Sequence, residues 1–182
     1  MVRRGLNGAR SLCTVAGRAN GRIRSGCWCL ADEQATLQLG SKLAQATQDM
    51  LGGMLLFLRG ELGVGKSCFV RGFLLAKGWR QAVPSPSFSL REDYWLPDGG
   101  CVAHLDLYRL KDPEELNYLG LEELWNDQWT VMIEWPEIGQ DYLPAPDLCI
   151  DIELSEMGRV LTVTAMNSRA EYALQRMTEV VQ

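Results

Sequence analysis

The sequence predicts an α/β fold, a mixed β-sheet flanked by α-helices. Three observations carry this. From residue 32 onward, short apolar runs alternate with segments of helical period. Between one such run and one such helix lies Gly60-Glu61-Leu62-Gly63-Val64-Gly65-Lys66-Ser67, which fits G-x-x-x-x-G-K-[ST]. Late in the chain, two alternating runs flank a short turn, as antiparallel neighbours do. A glycine loop between strand and helix is the setting a P-loop requires, so the class narrows to P-loop NTPase-like.

The elements follow in order. Residues 1 to 30 show no helical or strand period and carry six arginines and no acid. This stretch reads as a disordered basic extension or a spurious start, with an Arg-rich transit peptide as the other reading. Residues 31 to 182 are expected to form one domain. "ADEQATLQLGSKLAQATQDM" places Leu37, Leu39, Leu43 and Ala44 near helical spacing, with acids in the first turn. "MLLFLRG" is a short apolar run ended by glycine, a buried strand. "KSCFVRGFLLAKG" turns Phe69, Val70, Phe73 and Leu74 to one face, and Gly78 stops the helix. Pro84 and Pro86 force a loop, which leads into a strand at about 87 to 94. "CVAHLDLYRL" is a further strand, and "KDPEELNYLGLEELW" one or two short helices with Pro113 near a start. "WTVMIEW" is an apolar strand that ends in an acid. "DLCIDIELS" and "RVLTVTAM" form a hairpin around Glu156-Met157-Gly158, and "SRAEYALQRMTEVV" is a last helix.

Composition limits the function classes. The chain has 182 residues, 47% of them apolar, and no run of 18 apolar residues, so no membrane helix is expected. Six cysteines stand without C-x-x-C spacing beside a single histidine, which argues against zinc and for reduced thiols in the cytoplasm. The net charge of −5 divides into +6 over residues 1 to 31 and −11 from residue 32 onward. An acidic body is a poor autonomous binder of nucleic acid, because phosphates need basic contacts. Any RNA is expected to be held by a partner.

The glycine loop carries the chemistry. Glycines let a polyanion approach closely and let backbone N–H groups face it, while the following helix adds its positive end. Lys66 is expected to reach the β- and γ-phosphates, and Ser67 to offer its hydroxyl to Mg²⁺. The nucleotide-binding stretch thus runs through Gly60, Glu61, Leu62, Gly63, Val64, Gly65, Lys66, Ser67 and Cys68. Mg²⁺ keeps one or two protein carboxylates, so an acid is wanted at a neighbouring strand end. Asp106 in "HLDLY" and Glu134 in "VMIEW" are the candidates, and Glu134 follows the more apolar run, as a Walker-B acid does. "VPSPSF" is stiffened by prolines and sets Ser85 or Ser87 near the γ-phosphate as a switch-like segment, or is a simple turn. His104 alternates with apolar residues and reads as structural, Trp135 as core, and Arg109 as a surface ion-pair former or a phosphate contact.

Two enzyme classes fit less well. A Ras-type GTPase would carry N-K-x-D and a D-x-x-G switch after the loop, and neither follows it. A small-molecule kinase usually closes an arginine-bearing lid, whereas the middle of this chain is acidic. The kinase remains the alternative reading, and a nucleotide-sensing module without turnover a weaker one.

Several motifs together resemble one family. "RGELGVGKSCFVRGFLLAKG", "VPSPSFSL", "HLDLYRLKDPEEL…LGLEE" and "VMIEWPEIGQDYLP" are similar, in order and spacing, to the bacterial TsaE (YjeE) ATPases, over roughly residues 31 to 166. The resemblance implies an ATPase needed for tRNA threonylcarbamoyladenosine formation. Such a protein joins the TsaD–TsaB heterodimer, uses ATP hydrolysis to keep it cycling, and meets tRNA only through that complex. It implies Ser67 and Glu134 as Mg²⁺ ligands, Asp106 as a catalytic or water-positioning acid, Lys66 as the catalytic lysine and Ser87 in the switch loop. Glu33 and Arg159 fall where the family closes around the nucleotide. The family often has threonine where this chain has Ser67 and Ser87, and serine keeps both hydroxyls.

Overall fold

The computed structural model describes residues 13–14, 18–19, 22–125 and 128–179. Ten strands occur among them: β1 (Cys13–Thr14), β2 (Arg18–Ala19), β3 (Arg22–Ile23), β4 (Ser25–Leu30), β5 (Leu55–Arg59), β6 (Arg91–Trp95), β7 (Cys101–Asp106), β8 (Trp129–Glu134), β9 (Leu148–Ser155) and β10 (Gly158–Ala165). Three α-helices join them: α1 (Glu33–Ala46), α2 (Lys66–Ala76) and α3 (Ser168–Glu179). Eight strands form one mixed sheet in the order β1-β4-β10-β9-β5-β8-β7-β6, and β2 pairs with β3 apart from it. The central four, β9, β5, β8 and β7, run parallel; β6, β10, β4 and β1 pair antiparallel.

The period of two along each central strand builds the two layers. Leu56 and Leu58 of β5, Met132 of β8 and Ile150 of β9 face α1, α2 and α3, in a core with Leu43, Phe69 and Leu174. Leu55 and Phe57 of β5 and Val131 and Ile133 of β8 face the other way. There they meet Leu116, Leu121 and Leu124, which belong to short 3₁₀ turns at Pro113–Tyr118 and Leu121–Trp125. The first of these turns opens on a reciprocal cap, with Asp112 accepting from Glu114 N at 2.9 Å and Glu115 accepting from Asp112 N at 3.2 Å. These are the one or two short helices expected there.

Two expectations need correction. Residues 25–30, assigned to a disordered extension, form β4, which pairs antiparallel with β10 from Ser25↔Thr164 to Leu30↔Arg159. Gly26, Trp28 and Leu30 point inward, and Trp28 is wholly buried. Its indole bends back over Gly26, where an added Cβ would lie 2.5 Å from the ring. Apart from Arg24, which links β3 to β4, the remainder of the expected extension falls in β1 to β3 or outside the described residues. The strand expected at 87 to 94 begins later, at Arg91. Leu90 N donates to Pro86 O at 2.7 Å and Leu90 takes φ 62°, so the chain turns before it can pair.

Candidate nucleotide site

The site grows from the middle of the sheet. β5 ends at Arg59 and α2 begins at Lys66, with the glycine loop between them. Gly60 has φ 134°, and a Cβ there would stand 2.2 Å from Ile152 O, so only glycine fits. Gly65 caps α2 from the left-handed region at φ 117°. The helix axis therefore starts directly under the loop, with its positive end toward the cavity.

Lys66 is buried, and its ammonium folds back onto the loop. It donates to Gly60 O at 2.7 Å and Glu61 O at 2.9 Å, and lies 4.0 Å from the centre of the Trp135 ring. Burial lowers its pKa below the usual lysine value, against the opposing pull of Glu134, Asp106 and Glu137. Ser67 Oγ donates to Glu134 Oε1 at 2.7 Å, so the hydroxyl at the head of α2 meets the acid at the end of β8. Asp106 ends β7 in register with Glu134. Its Oδ2 accepts from Ser85 Oγ at 2.5 Å and its Oδ1 from Tyr108 N at 3.0 Å, which ties the proline-rich loop to the sheet.

These groups line a cavity of about 330 Å³ that includes Leu62, Gly63, Gly65, Lys66, Ser67, Cys68, Ser85, Ser87, Asp106, Arg109, Glu134 and Trp135. A larger cavity, about 400 Å³, lies at the opposite ends of the parallel strands, among Gly52, Lys77, Asp98, Cys101 and Thr130. The smaller one holds the convergent hydroxyls and carboxylates, and the chemistry belongs there.

The expected residues divide into three groups. Lys66, Ser67, Ser85, Ser87, Asp106 and Glu134 share the cavity with Leu62, Gly63, Gly65 and Cys68, whereas Gly60, Glu61 and the buried Val64 do not line it. Arg159 stands beside the loop: its Nε would be 3.4 Å from a Cβ on Gly65, and that nitrogen is buried without a hydrogen-bond partner among the described residues. Glu33 lies outside, exposed and bonded to Arg71 at 3.1 Å, although its carbonyl accepts from Cys68 Sγ at 3.4 Å. Burial, with Glu33 nearby, pushes the Cys68 thiol up, which disfavours a thiolate there.

Three readings change. Arg109 makes no ion pair among the described residues and instead stacks 4.1 Å from the Phe88 ring, at the cavity rim. Trp135 is only partly core: it takes φ 57°, lines the cavity and carries Lys66 on its face. His104 is wholly buried, yet its Nε2 lies 2.8 Å from Glu134 Oε1. The signal for His104 was present: it stands two residues before Asp106 on one strand, hence on the same face.

Comparison with known proteins extends the geometry. A family profile described as "Threonylcarbamoyl adenosine biosynthesis protein TsaE" matches residues 30–161, a span that contains the whole cavity. The chain belongs to the TsaE family. A TsaE protein of Haemophilus influenzae, named for tRNA threonylcarbamoyladenosine biosynthesis, is 34% identical over 141 residues, covering 76% of this chain and 89% of its own. The TsaE protein of Bacillus subtilis is 34% identical over 128 residues, 69% and 78% of the two chains. The crystal structure of Bacillus subtilis YdiB superposes with a TM-score of 0.71 at 27% identity, over 87% of this chain and 97% of that one. The TsaE membership and the P-loop NTPase-like sheet agree with the resemblance drawn from the motifs.

Proposed function

We propose that the chain binds ATP with Mg²⁺ in the glycine-loop cavity and hydrolyses it to ADP and phosphate. In this reading it is the nucleotide-driven component of tRNA threonylcarbamoyladenosine formation and acts on a TsaD–TsaB complex in the cytoplasm. The observation that carries it is the meeting of Ser67 Oγ and Glu134 Oε1 at 2.7 Å, directly under the N-terminal end of α2. A hydroxyl and a carboxylate are hard oxygen donors, the kind Mg²⁺ takes alongside phosphate oxygens. The residues present fit that ion, with Ser67 and Glu134 as its holders. When bound, it neutralises charge on the transferred phosphoryl group.

The chain's own groups then have distinct parts. Lys66, which already lines the cavity, exchanges the carbonyls of Gly60 and Glu61 for phosphate oxygens. Asp106 orients the attacking water, and Ser85, bonded to it, couples the position of the loop through Ser87 to that water. Arg159 lies beside the loop and supports the nucleotide side. The acidic body, −11 beyond residue 31, leaves tRNA contact to the partner subunits.

The test uses ATP labelled at the γ-phosphate. The label is expected as free phosphate, and its appearance on a small-molecule acceptor would favour the kinase instead. Glu134→Gln is expected to slow phosphate release by about 100-fold, since it keeps the shape and removes the charge. A variant as fast as the wild type would mean that Glu134 does not hold the ion during turnover.

A further inference from the structure

We infer that His104 is a positioning residue for Glu134: its Nε2–H holds the carboxylate in the orientation the nucleotide site needs. This role rests on the ATPase reading. His104 lies within β7, paired in register with Met132 of β8, two residues before Glu134. Strand alternation puts His104, Asp106, Met132 and Glu134 on the face covered by α2. The imidazole has 0% exposure and Glu134 3%.

The contact decides the tautomer. A carboxylate only accepts, so the nitrogen 2.8 Å from Glu134 Oε1 is the one assigned the hydrogen. In the neutral ring Nδ1 is then the acceptor, and it is buried with no partner among the described residues. A buried polar atom without a protein partner is a cost that an apolar residue would avoid. Neighbouring inward positions on the sheet, such as Met132 and Leu58, are apolar and fully buried. Packing alone therefore does not explain histidine at this place, and the bond to Glu134 does.

The same geometry says what the bond accomplishes. Ser67 Oγ and His104 Nε2 both donate to Oε1, one from the cavity side and one from the core. The Ser67 hydroxyl is the group that must turn when phosphate and cation arrive. His104 is anchored in a strand and cannot follow it. It keeps Oε1 fixed, so the carboxylate does not rotate out of position during the exchange. Residues that orient a ligating carboxylate in this way typically change metal affinity or activity by about 10- to 100-fold when removed.

The chain contains one histidine, so the imidazole ¹⁵N spectrum of a protein without a histidine tag reports on His104 alone. The Nε2–H tautomer is expected, with a shift on addition of Mg²⁺ and a non-hydrolysable ATP analogue. The Nδ1–H tautomer overturns the proposal. The second arm measures ADP affinity with and without Mg²⁺ and phosphate release for His104→Gln, which keeps a donor, and His104→Leu, which does not. Both are expected to bind ADP without Mg²⁺ within about 2-fold of wild type. The leucine variant is expected to lose about 10-fold or more in Mg²⁺-dependent tightening and in turnover, with KM little changed, and glutamine to restore most of it. Equal tightening in the leucine variant, or a glutamine variant as impaired as leucine, overturns the role of His104 alone. Wild-type protein that binds no nucleotide overturns the ATPase reading, and this role with it. Where the leucine variant does not fold, the spectrum and the glutamine variant decide in the same terms.

Discussion

At Lys66, burial works against the ammonium while three acids nearby support it, and burial prevails. The folded-state pKa lies below 10.5, the value in the unfolded chain. The unfolded state therefore binds more protons between those two values, and folding stability rises with pH across that window. Below it, the buried charge is a cost carried by the nucleotide-free protein. Lys66→Met is expected to abolish nucleotide binding while changing stability at pH 7 by no more than about 1 kcal/mol, because two hydrogen bonds are lost and a buried charge is relieved. Isothermal titration with ATP and urea unfolding would measure the two effects. A large loss of stability would mean that Lys66 chiefly braces the loop. Trp135 acts on the same ammonium. Its left-handed backbone, φ 57°, is unusual for an aromatic residue and aims the ring under the charge. Residue spacing identified the acid at Glu134, but the turn just after it is a three-dimensional fact, formed as Trp135 N donates to Leu58 O at 3.2 Å.

Among the elements, α1 and α2 lie against each other through small residues. A Cβ on Gly72 would meet Leu37 O at 2.1 Å, and one on Gly40 would meet Phe69 O at 2.2 Å. Ser41 Oγ donates to Gly72 O at 2.9 Å across the same seam. Gly72→Ala is expected to destabilise the fold by about 1–3 kcal/mol despite alanine's better helix propensity, because backbone must move. Thermal unfolding would show it, and unchanged or higher stability would refute the close packing. β4 offers a second test. Trp28→Ala is expected to cost about 3–5 kcal/mol, as for other fully buried aromatics, whereas a spurious extension would tolerate it without loss. The strand was hard to read from sequence. Its inward residues Gly26, Trp28 and Leu30 alternate with Cys27 and Cys29, but the run is short and follows six arginines and several glycines. β5 and the hairpin of β9 and β10 were legible because their periods run longer or end on clear turn residues. The strand start at Arg91 was not, since it depends on the bond from Leu90 N to Pro86 O.

Across the whole molecule, the cavity draws on segments at residues 62–68, 85–87, 106–109 and 134–135, brought together at one end of β5, β8 and β7. Parallel neighbours place Asp106 and Glu134 side by side at the carboxyl ends of their strands, where ligands of open α/β sheets bind. The loop was spelled out in the sequence, and so were both acids. The partnership of His104 with Glu134, the stacking of Arg109 on Phe88 and the outward position of Glu33 required the sheet register and the loop path. In the proposed reading, the acidic balance beyond residue 31 suits a protein whose hydrolysis serves another complex. The direct measurement is phosphate release by the chain alone and with TsaD–TsaB added, together with co-purification of the complex in the presence and absence of ATP. Slow release alone, faster release with the complex, and association that depends on the nucleotide are expected. An unchanged rate with no association would contradict the proposed function.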